Sequence, residues 1–153
     1  MKSFEGKLLA SGKKFAIVFS KFNDFVGEGL LKSAYDCLRK HDARDENIDV
    51  YKVPGAFELP STADKLASKK KYDAIICLGV VIRGATAHFE YVSSAASNGI
   101  LQTSLKYSLP VIFGVLTTDT IEQAIERAGS KAGNKGWDAA LTAIEMADLF
   151  KSI

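Results

Sequence analysis

The chain has 153 residues, of which 47% are hydrophobic, enough to bury roughly 70% of the unfolded surface, so one domain over residues 1–153 is expected. Its 20 lysines and arginines and 18 acidic residues are mixed along the chain, a balance that argues against nucleic acid as the main partner. No stretch of eighteen apolar residues and no leader of secretory type occurs in the sequence, so we expect a cytoplasmic protein without a membrane span.

The spacing of apolar residues alternates between that of buried strands and that of helices. Continuous short apolar runs, typical of strands covered on both faces, occur at 15–19 and 74–81, and strand character returns at 48–53 and 111–116. Apolar residues at steps of three and four, typical of amphipathic helices, follow at 26–38, 59–67, 89–107, 121–128 and 137–147. Asp24 is predicted to cap the first helix, and Asp119-Thr-Ile-Glu122 to form a capping box before the fourth.

This alternation predicts a mainly parallel sheet, because parallel neighbours need long crossovers and these are usually helical. We therefore expect an α/β fold, a three-layer α/β/α sandwich. In such sheets ligands bind beyond the carboxyl ends of the strands. The segments that follow the four strands are 20–24, 54–58, 83–88 and 117–119, and we expect them to converge on one edge and form the site.

Gly84-Ala-Thr86 is predicted to open the helix after the third strand. Backbone N–H groups at a helix start lack intrahelical partners and attract anions, and Gly84 lets a phosphate approach the main chain. A tight turn without a ligand fits these residues equally well. Gly79 and Gly84 have the spacing of a P-loop, but Ala85-Thr86 stands where Lys-Ser/Thr is required. An ATPase or GTPase of that type is therefore excluded.

Other side chains at the strand ends each allow a functional and a structural interpretation. His88 could transfer protons, or could merely cap the helix or hydrogen-bond a neighbour. Phe22 and Phe57 could stack on a planar ligand or pack into the core. Glu58 could accept hydrogen bonds from a polyol or simply favour the start of its helix.

The remaining basic and thiol side chains give weaker indications. Arg127, Lys131 and Lys135 form a cationic cluster that could bind a phosphate, although solvated helix ends look similar. Cys37 and Cys77 stand among apolar neighbours, without Cys-x-x-Cys or histidine spacing. We expect buried free thiols in a reducing compartment, and no metal site.

Three motifs together resemble the lumazine synthase family. They are Pro54-Gly-Ala-Phe-Glu58, Arg83-Gly-Ala-Thr-Ala-His88 and the stretch 121–136. The likeness runs in the same order along the chain, from about Phe4 to about Ala147. It implies a flavodoxin-like fold with a four-stranded parallel sheet, which agrees with the interpretation from periodicity.

The resemblance also implies an activity, namely the penultimate step of riboflavin biosynthesis. In the family, 5-amino-6-(D-ribitylamino)uracil condenses with 3,4-dihydroxy-2-butanone 4-phosphate to give 6,7-dimethyl-8-ribityllumazine, phosphate and water. No metal or redox cofactor is implied. The residues implied to hold the pyrimidine and its ribityl chain are Phe22, Ala56, Phe57, Glu58, Val80, Val81 and Ile82.

The phosphate end of the site is implied in the same way. Ala85 and Thr86 are implied to bind the phosphate, with Arg127 as its charged partner, and His88 to transfer protons. The residues implied to enter from the adjacent subunit are Phe113, Arg127 and Lys135. Each active site would then lie at a subunit interface.

The resemblance further implies pentameric rings, twelve of which form a 60-subunit icosahedral shell in some members. The stretch 129–136 lacks an insertion, which favours a shell, and a shell raises the prospect of riboflavin synthase as cargo. The segment 4–10 is implied to pair with the sheet edge of a neighbouring subunit. The chain departs from the common family pattern at Lys21, often arginine, and at Glu90, often aspartate.

Two rival interpretations remain at this stage. Lys131 or Lys135 could form a Schiff base with a sugar phosphate, as in a class I aldolase. A non-catalytic shell or flavin-binding protein could keep the fold and the assembly without turnover. The joint presence of Phe22, Glu58 and His88 with Arg127 disfavours the second of these.

Overall fold

The computed structural model describes residues 1–129 and 133–153. Within these ranges it contains four strands, β1 (Phe15–Ser20), β2 (Ile48–Val53), β3 (Ala74–Ile82) and β4 (Val111–Thr118). Over the same ranges five α-helices are formed, α1 (Asp24–Lys40), α2 (Leu59–Ser68), α3 (His88–Tyr107), α4 (Ile121–Arg127) and α5 (Lys135–Ser152). Residues 130–132 lie outside the described residues, and with them Lys131 and part of the compact turn that favoured a shell.

The strands form one parallel sheet in the order β2-β1-β3-β4. Phe15 at the start of β1 aligns with Ile48 of β2 on one side and with Ala74 of β3 on the other. The predicted α/β fold with a four-stranded parallel sheet is confirmed. Because the chain steps from β1 outward to β2 and then back across β1 to β3, the strand order reverses between β1 and β3.

Helices cover both faces of the sheet and bury two apolar layers. Alternate residues of β1 face opposite layers, with Ile17 on the side of α1 and α5 and Val18 on the side of α2 and α3. Both faces of β1 are therefore buried, which explains its continuous apolar run. On the first side, Gly136 of α5 lies so close to α1 that a Cβ there would stand 2.1 Å from the Leu30 carbonyl oxygen.

Helix starts differ from the sequence prediction in three places. The N-cap of α1 is Asn23, in the left-handed region at φ 60°, and Asp24 is the first helical residue. The capping box of α4 pairs Thr120 with Gln123, one residue later than predicted. The third helix begins at His88, so Gly84-Ala-Thr86 forms a turn before the helix and does not open it.

The segment 4–10 forms no strand within the chain. It is anchored on α5, where the backbone N–H of Lys7 donates to Asp148 Oδ2 at 2.8 Å. The buried ammonium of Lys13 donates to Asp148 Oδ1 at 3.1 Å and to the Leu9 carbonyl at 2.8 Å. The implied pairing of this segment with a neighbouring subunit stays a prediction. None of the helices in the described part of the chain is long and apolar enough to span a bilayer.

Candidate active site

Two loops are fastened together beyond the carboxyl ends of β1 and β2 and are tied to β3. The backbone N–H of Lys21 donates to the Val53 carbonyl at 2.8 Å, and that of Phe22 to the Pro54 carbonyl at 3.1 Å. These two bonds continue the β1–β2 pairing past the end of the strands. From the same loop, Asn23 Nδ2 donates to the Val80 carbonyl of β3 at 3.1 Å. The loops after β1 and β2 thus meet β3 where the strand order reverses, which is where open parallel sheets bind ligands.

Two connected cavities, which we call the β1–β3 cavity, open at this point. Their volumes are about 660 Å³ and about 220 Å³. The residues that line both are Phe22, Ala56, His88 and Val92. The larger one is also lined by Pro54, Gly55, Phe57, Glu58 and Tyr91, and the smaller by Val80, Val81, Ile82, Gly84, Thr86 and Phe89. The structure therefore brings together nine of the predicted residues, and Ala85 is exposed directly beside Thr86.

The other three predicted residues lie together elsewhere. Phe113, Arg127 and Lys135 line a cavity of about 390 Å³, which we call the β4 cavity, along the outer edge of β4. The two groups share no lining residue. The predicted residues thus fall into two separate groups within one chain.

Three aromatic side chains of the β1–β3 cavity are not core residues. Phe22 is 68% exposed, Phe57 is 61% exposed and Tyr91 is 74% exposed. Rings left in water to this extent offer faces that a planar ligand can cover. Sequence reasoning missed Tyr91. Its position three residues after His88 could have indicated it, because residues at that spacing share a helix face.

The turn 84–87 leaves its backbone donors free. Within the described residues, no hydrogen bond is made by the backbone N–H groups of Ala85 or Thr86, and the whole turn is exposed. A Cβ added at Gly84 would meet no atom within 4 Å. The turn directly precedes the first residue of α3, where the helix dipole favours negative charge. This geometry suits an anion better than a turn that only connects two elements.

The charged groups next to this turn are paired. Arg83 donates to Glu90 and to Asp119. Hydrogen bonds that the guanidinium donates to Asp119 and to Glu90 raise the pKa of Arg83, and the contact with Arg83 lowers the pKa of Glu90. Arg83 and Glu90 are therefore both charged at neutral pH.

The basic residues of the β4 cavity stand at two helix ends. Arg127 is the last residue of α4 and Lys135 the first of α5, and both are exposed. Between them, Asn134 Nδ2 donates to the Ala128 carbonyl at 2.7 Å and to the Gly29 carbonyl at 3.2 Å. Asn134 thereby ties the end of α4 to the start of α5, the two helix ends that carry these cations.

The fold and the site define a class, namely parallel α/β proteins with an open cavity where the strand order reverses. A family model described as 6,7-dimethyl-8-ribityllumazine synthase matches residues 12–151 of the chain. A protein of that name from Chloroherpeton thalassium is 60% identical over 153 residues, which is 100% of this chain and 99% of that protein. Its namesake from Clostridium kluyveri is 58% identical with the same coverage.

The chain therefore belongs to the 6,7-dimethyl-8-ribityllumazine synthase family, a family of enzymes that acts in riboflavin biosynthesis. The resemblance seen in the motifs is confirmed. The flavodoxin-like topology implied by that resemblance agrees with the observed strand order.

Proposed function

We propose that this protein condenses 5-amino-6-(D-ribitylamino)uracil with 3,4-dihydroxy-2-butanone 4-phosphate to give 6,7-dimethyl-8-ribityllumazine, phosphate and water. The observation that carries the proposal is the composition of the β1–β3 cavity. One cavity combines an exposed aromatic ring, a carboxylate and a histidine with a turn whose backbone donors are free. Each of these groups suits one part of the two substrates.

The pyrimidine and its ribityl chain occupy the part of the cavity that Phe22 and Glu58 line. Phe22 stacks on the ring, Phe57 and Ala56 flank it, and Glu58 accepts hydrogen bonds from the ribityl hydroxyls. The backbone of 80–82 contacts the ring edge. The Val80 carbonyl already accepts from Asn23, but a carbonyl oxygen has a second lone pair for a ligand donor.

The phosphate binds to the backbone N–H groups of Ala85 and Thr86. In this proposal Arg127 of an adjacent copy supplies the opposing charge, because in its own chain Arg127 lies in the β4 cavity. Phe113 and Lys135 reach the same site from that copy. The separation of the two groups within one chain supports a site shared between subunits.

The chemistry needs orientation and proton transfer, and no protein nucleophile. The substrate amine attacks the ketone, water leaves to give an imine, phosphate is eliminated, and the second nitrogen attacks the remaining carbonyl and closes the ring with loss of a second water. Holding two reactants in line can contribute roughly 7 to 11 kcal/mol. His88, which lines both parts of the β1–β3 cavity, exchanges protons with the reacting atoms and contributes about 100- to 10,000-fold.

A site shared between subunits requires an oligomer, and we propose pentameric rings. We further propose that twelve rings form a 60-subunit shell, which encloses riboflavin synthase as cargo. Apolar surface suited to an interface is present. Phe25 is 64% exposed and Ile125 is 50% exposed, and both line one groove between α1 and α4. Light scattering would distinguish a pentamer from a shell. We place the assembly in the cytoplasm. Within it, the segment 4–10 of one subunit pairs with the sheet edge of a neighbouring subunit.

The Schiff-base alternative is disfavoured by the surroundings of Lys135. Lysines that form Schiff bases are activated by desolvation or by a neighbouring cation, whereas Lys135 is exposed. Borohydride reduction with a keto-phosphate would label the protein if the alternative held. No label is expected.

The proposal is tested by following lumazine absorbance with both substrates and the purified protein. We expect product formation that requires both substrates, with one phosphate released per lumazine formed. Omitting either substrate provides the control. A folded, assembled protein that forms no lumazine would contradict the proposal.

A further inference from the structure

The turn 84–87 has little to hold its shape from within. Its residues are exposed, Gly84 has no neighbour at its Cβ position, and the backbone donors of Ala85 and Thr86 are unpaired within the described residues. A segment of this kind samples several conformations unless its ends are fixed. Free donors that bind one phosphate must nevertheless point in a common direction.

An ion pair joins the two ends of this turn. Arg83 directly precedes it and Glu90 lies in the first turn of α3. The Arg83 guanidinium donates to Glu90 Oε1 through Nη1. The contact therefore spans the turn from one side to the other.

The same guanidinium is held from two further directions. Its Nε donates to Asp119 Oδ1 at 2.8 Å, and its Cζ lies 4.5 Å from the centre of the Phe89 ring. The backbone N–H of Arg83 also donates to the Thr118 carbonyl of β4 at 2.8 Å. A planar guanidinium can use two edges and one face at once, which a lysine ammonium cannot.

We propose that Arg83 and Glu90 are positioning residues that hold the turn 84–87 in the shape in which it binds the substrate phosphate. The proposal rests on the function proposed above for this site. Arg83 is not itself a phosphate ligand, because its donors are directed to two carboxylates. It acts through the turn.

The test compares Glu90→Gln, Arg83→Lys and Glu90→Asp with the parent protein. The matched control is Asp36→Asn, which removes a similarly exposed pair, Lys32 to Asp36 at 2.6 Å, on α1. The measurements are the KM of each substrate, kcat, and the rise in thermal midpoint that inorganic phosphate produces. The last readout does not depend on turnover.

We expect the KM of the phosphorylated substrate to rise about 5- to 10-fold in Glu90→Gln and Arg83→Lys, as the loss of an ion pair or a stacked guanidinium predicts. The KM of the amine and kcat should change less than about 2-fold, since only the phosphate end is affected. The phosphate-induced rise in midpoint should shrink in the same variants, and Glu90→Asp, which keeps the charge, should retain most of it.

Two results would overturn the proposal. One is a KM for the phosphorylated substrate in Glu90→Gln and Arg83→Lys that matches the Asp36→Asn control. The other is a parent protein whose thermal midpoint does not respond to phosphate. If the parent responds to phosphate but forms no lumazine, the proposed reaction fails, while a response lost in Glu90→Gln still supports the positioning role.

Discussion

Replacing Phe22 by alanine should weaken binding of the pyrimidine substrate without affecting the fold. The ring is 68% exposed, so its removal takes little away from the core. The backbone N–H that donates to Pro54 is retained in the variant. We therefore expect the free energy of unfolding to change by less than about 0.5 kcal/mol.

The size of the effect on binding follows from the exposed area of the ring. With a phenylalanine area of roughly 200 Å², the exposed fraction of Phe22 amounts to about 140 Å². A planar ligand covers one of the two faces, or about 70 Å², which at roughly 25 cal/mol per Å² contributes about 1.7 kcal/mol. That corresponds to a rise of about 20-fold in the KM of the amine substrate.

The assay is steady-state lumazine formation with each substrate varied in turn. The control is Phe150→Ala, a partly exposed phenylalanine on the last turn of α5. Its neighbour Lys151 forms an ion pair at 3.4 Å with Asp73, the residue just before β3. Phe150 therefore lies near the amino ends of the strands, whereas the β1–β3 cavity lies at their carboxyl ends. A Phe22→Ala variant whose KM for the amine stays within about 2-fold of this control would refute the stacking role.

Three further changes have defined outcomes. His88→Ala should lower kcat about 100- to 10,000-fold without abolishing turnover, because orientation of the substrates remains; turnover equal to the parent would remove the proton-transfer role. Gly136→Ala should destabilise the protein by about 3 kcal/mol, because the new Cβ meets the Leu30 backbone. The melting midpoint should fall by about 6–12 °C, and an unchanged melting curve would contradict the close approach of α1 and α5. Burial raises the pKa of the Cys37 thiol to about 11 and that of the Cys77 thiol to about 12. Neither thiol should therefore react with a disulfide reagent at a pH of about 8 until the protein unfolds. Rapid labelling of the native protein would contradict this burial.

The strands could be predicted closely from the sequence, whereas the helix starts could not. A strand buried on both faces needs a continuous apolar run, so Phe15–Ser20 and Ala74–Ile82 are visible in the sequence itself. The N-cap of α1 was predicted one residue too late, because the conformation of Asn23 depends on a partner that is distant in the sequence. Asn23 uses its side chain to hold the Val80 carbonyl, and this contact appears only when β1 and β3 are adjacent.

Phe22, Phe57, Glu58 and His88 could be singled out from their positions after the strands, whereas the division of the candidate residues into two groups came only from the family resemblance. His88 stands shortly after β3 and Phe113 stands in β4. Sequence order alone does not show that these two residues line different cavities. The resemblance had implied a division between subunits, and the structure shows two separate cavities within one chain. The contacts of Arg83 could not be predicted, because its partners Glu90 and Asp119 come together only in the folded chain.

The most direct test of the shared site is activity in mixed assemblies. One variant, Phe22→Ala with His88→Ala, disables the β1–β3 cavity, and the other, Arg127→Ala, disables the β4 cavity. Neither variant alone should be efficient, but random mixing in equal amounts restores about one quarter of the interfaces of a head-to-tail ring. We predict recovery of about that fraction of parental activity after co-expression. Activity no greater than the average of the two separate variants would contradict a site built from two copies of the chain.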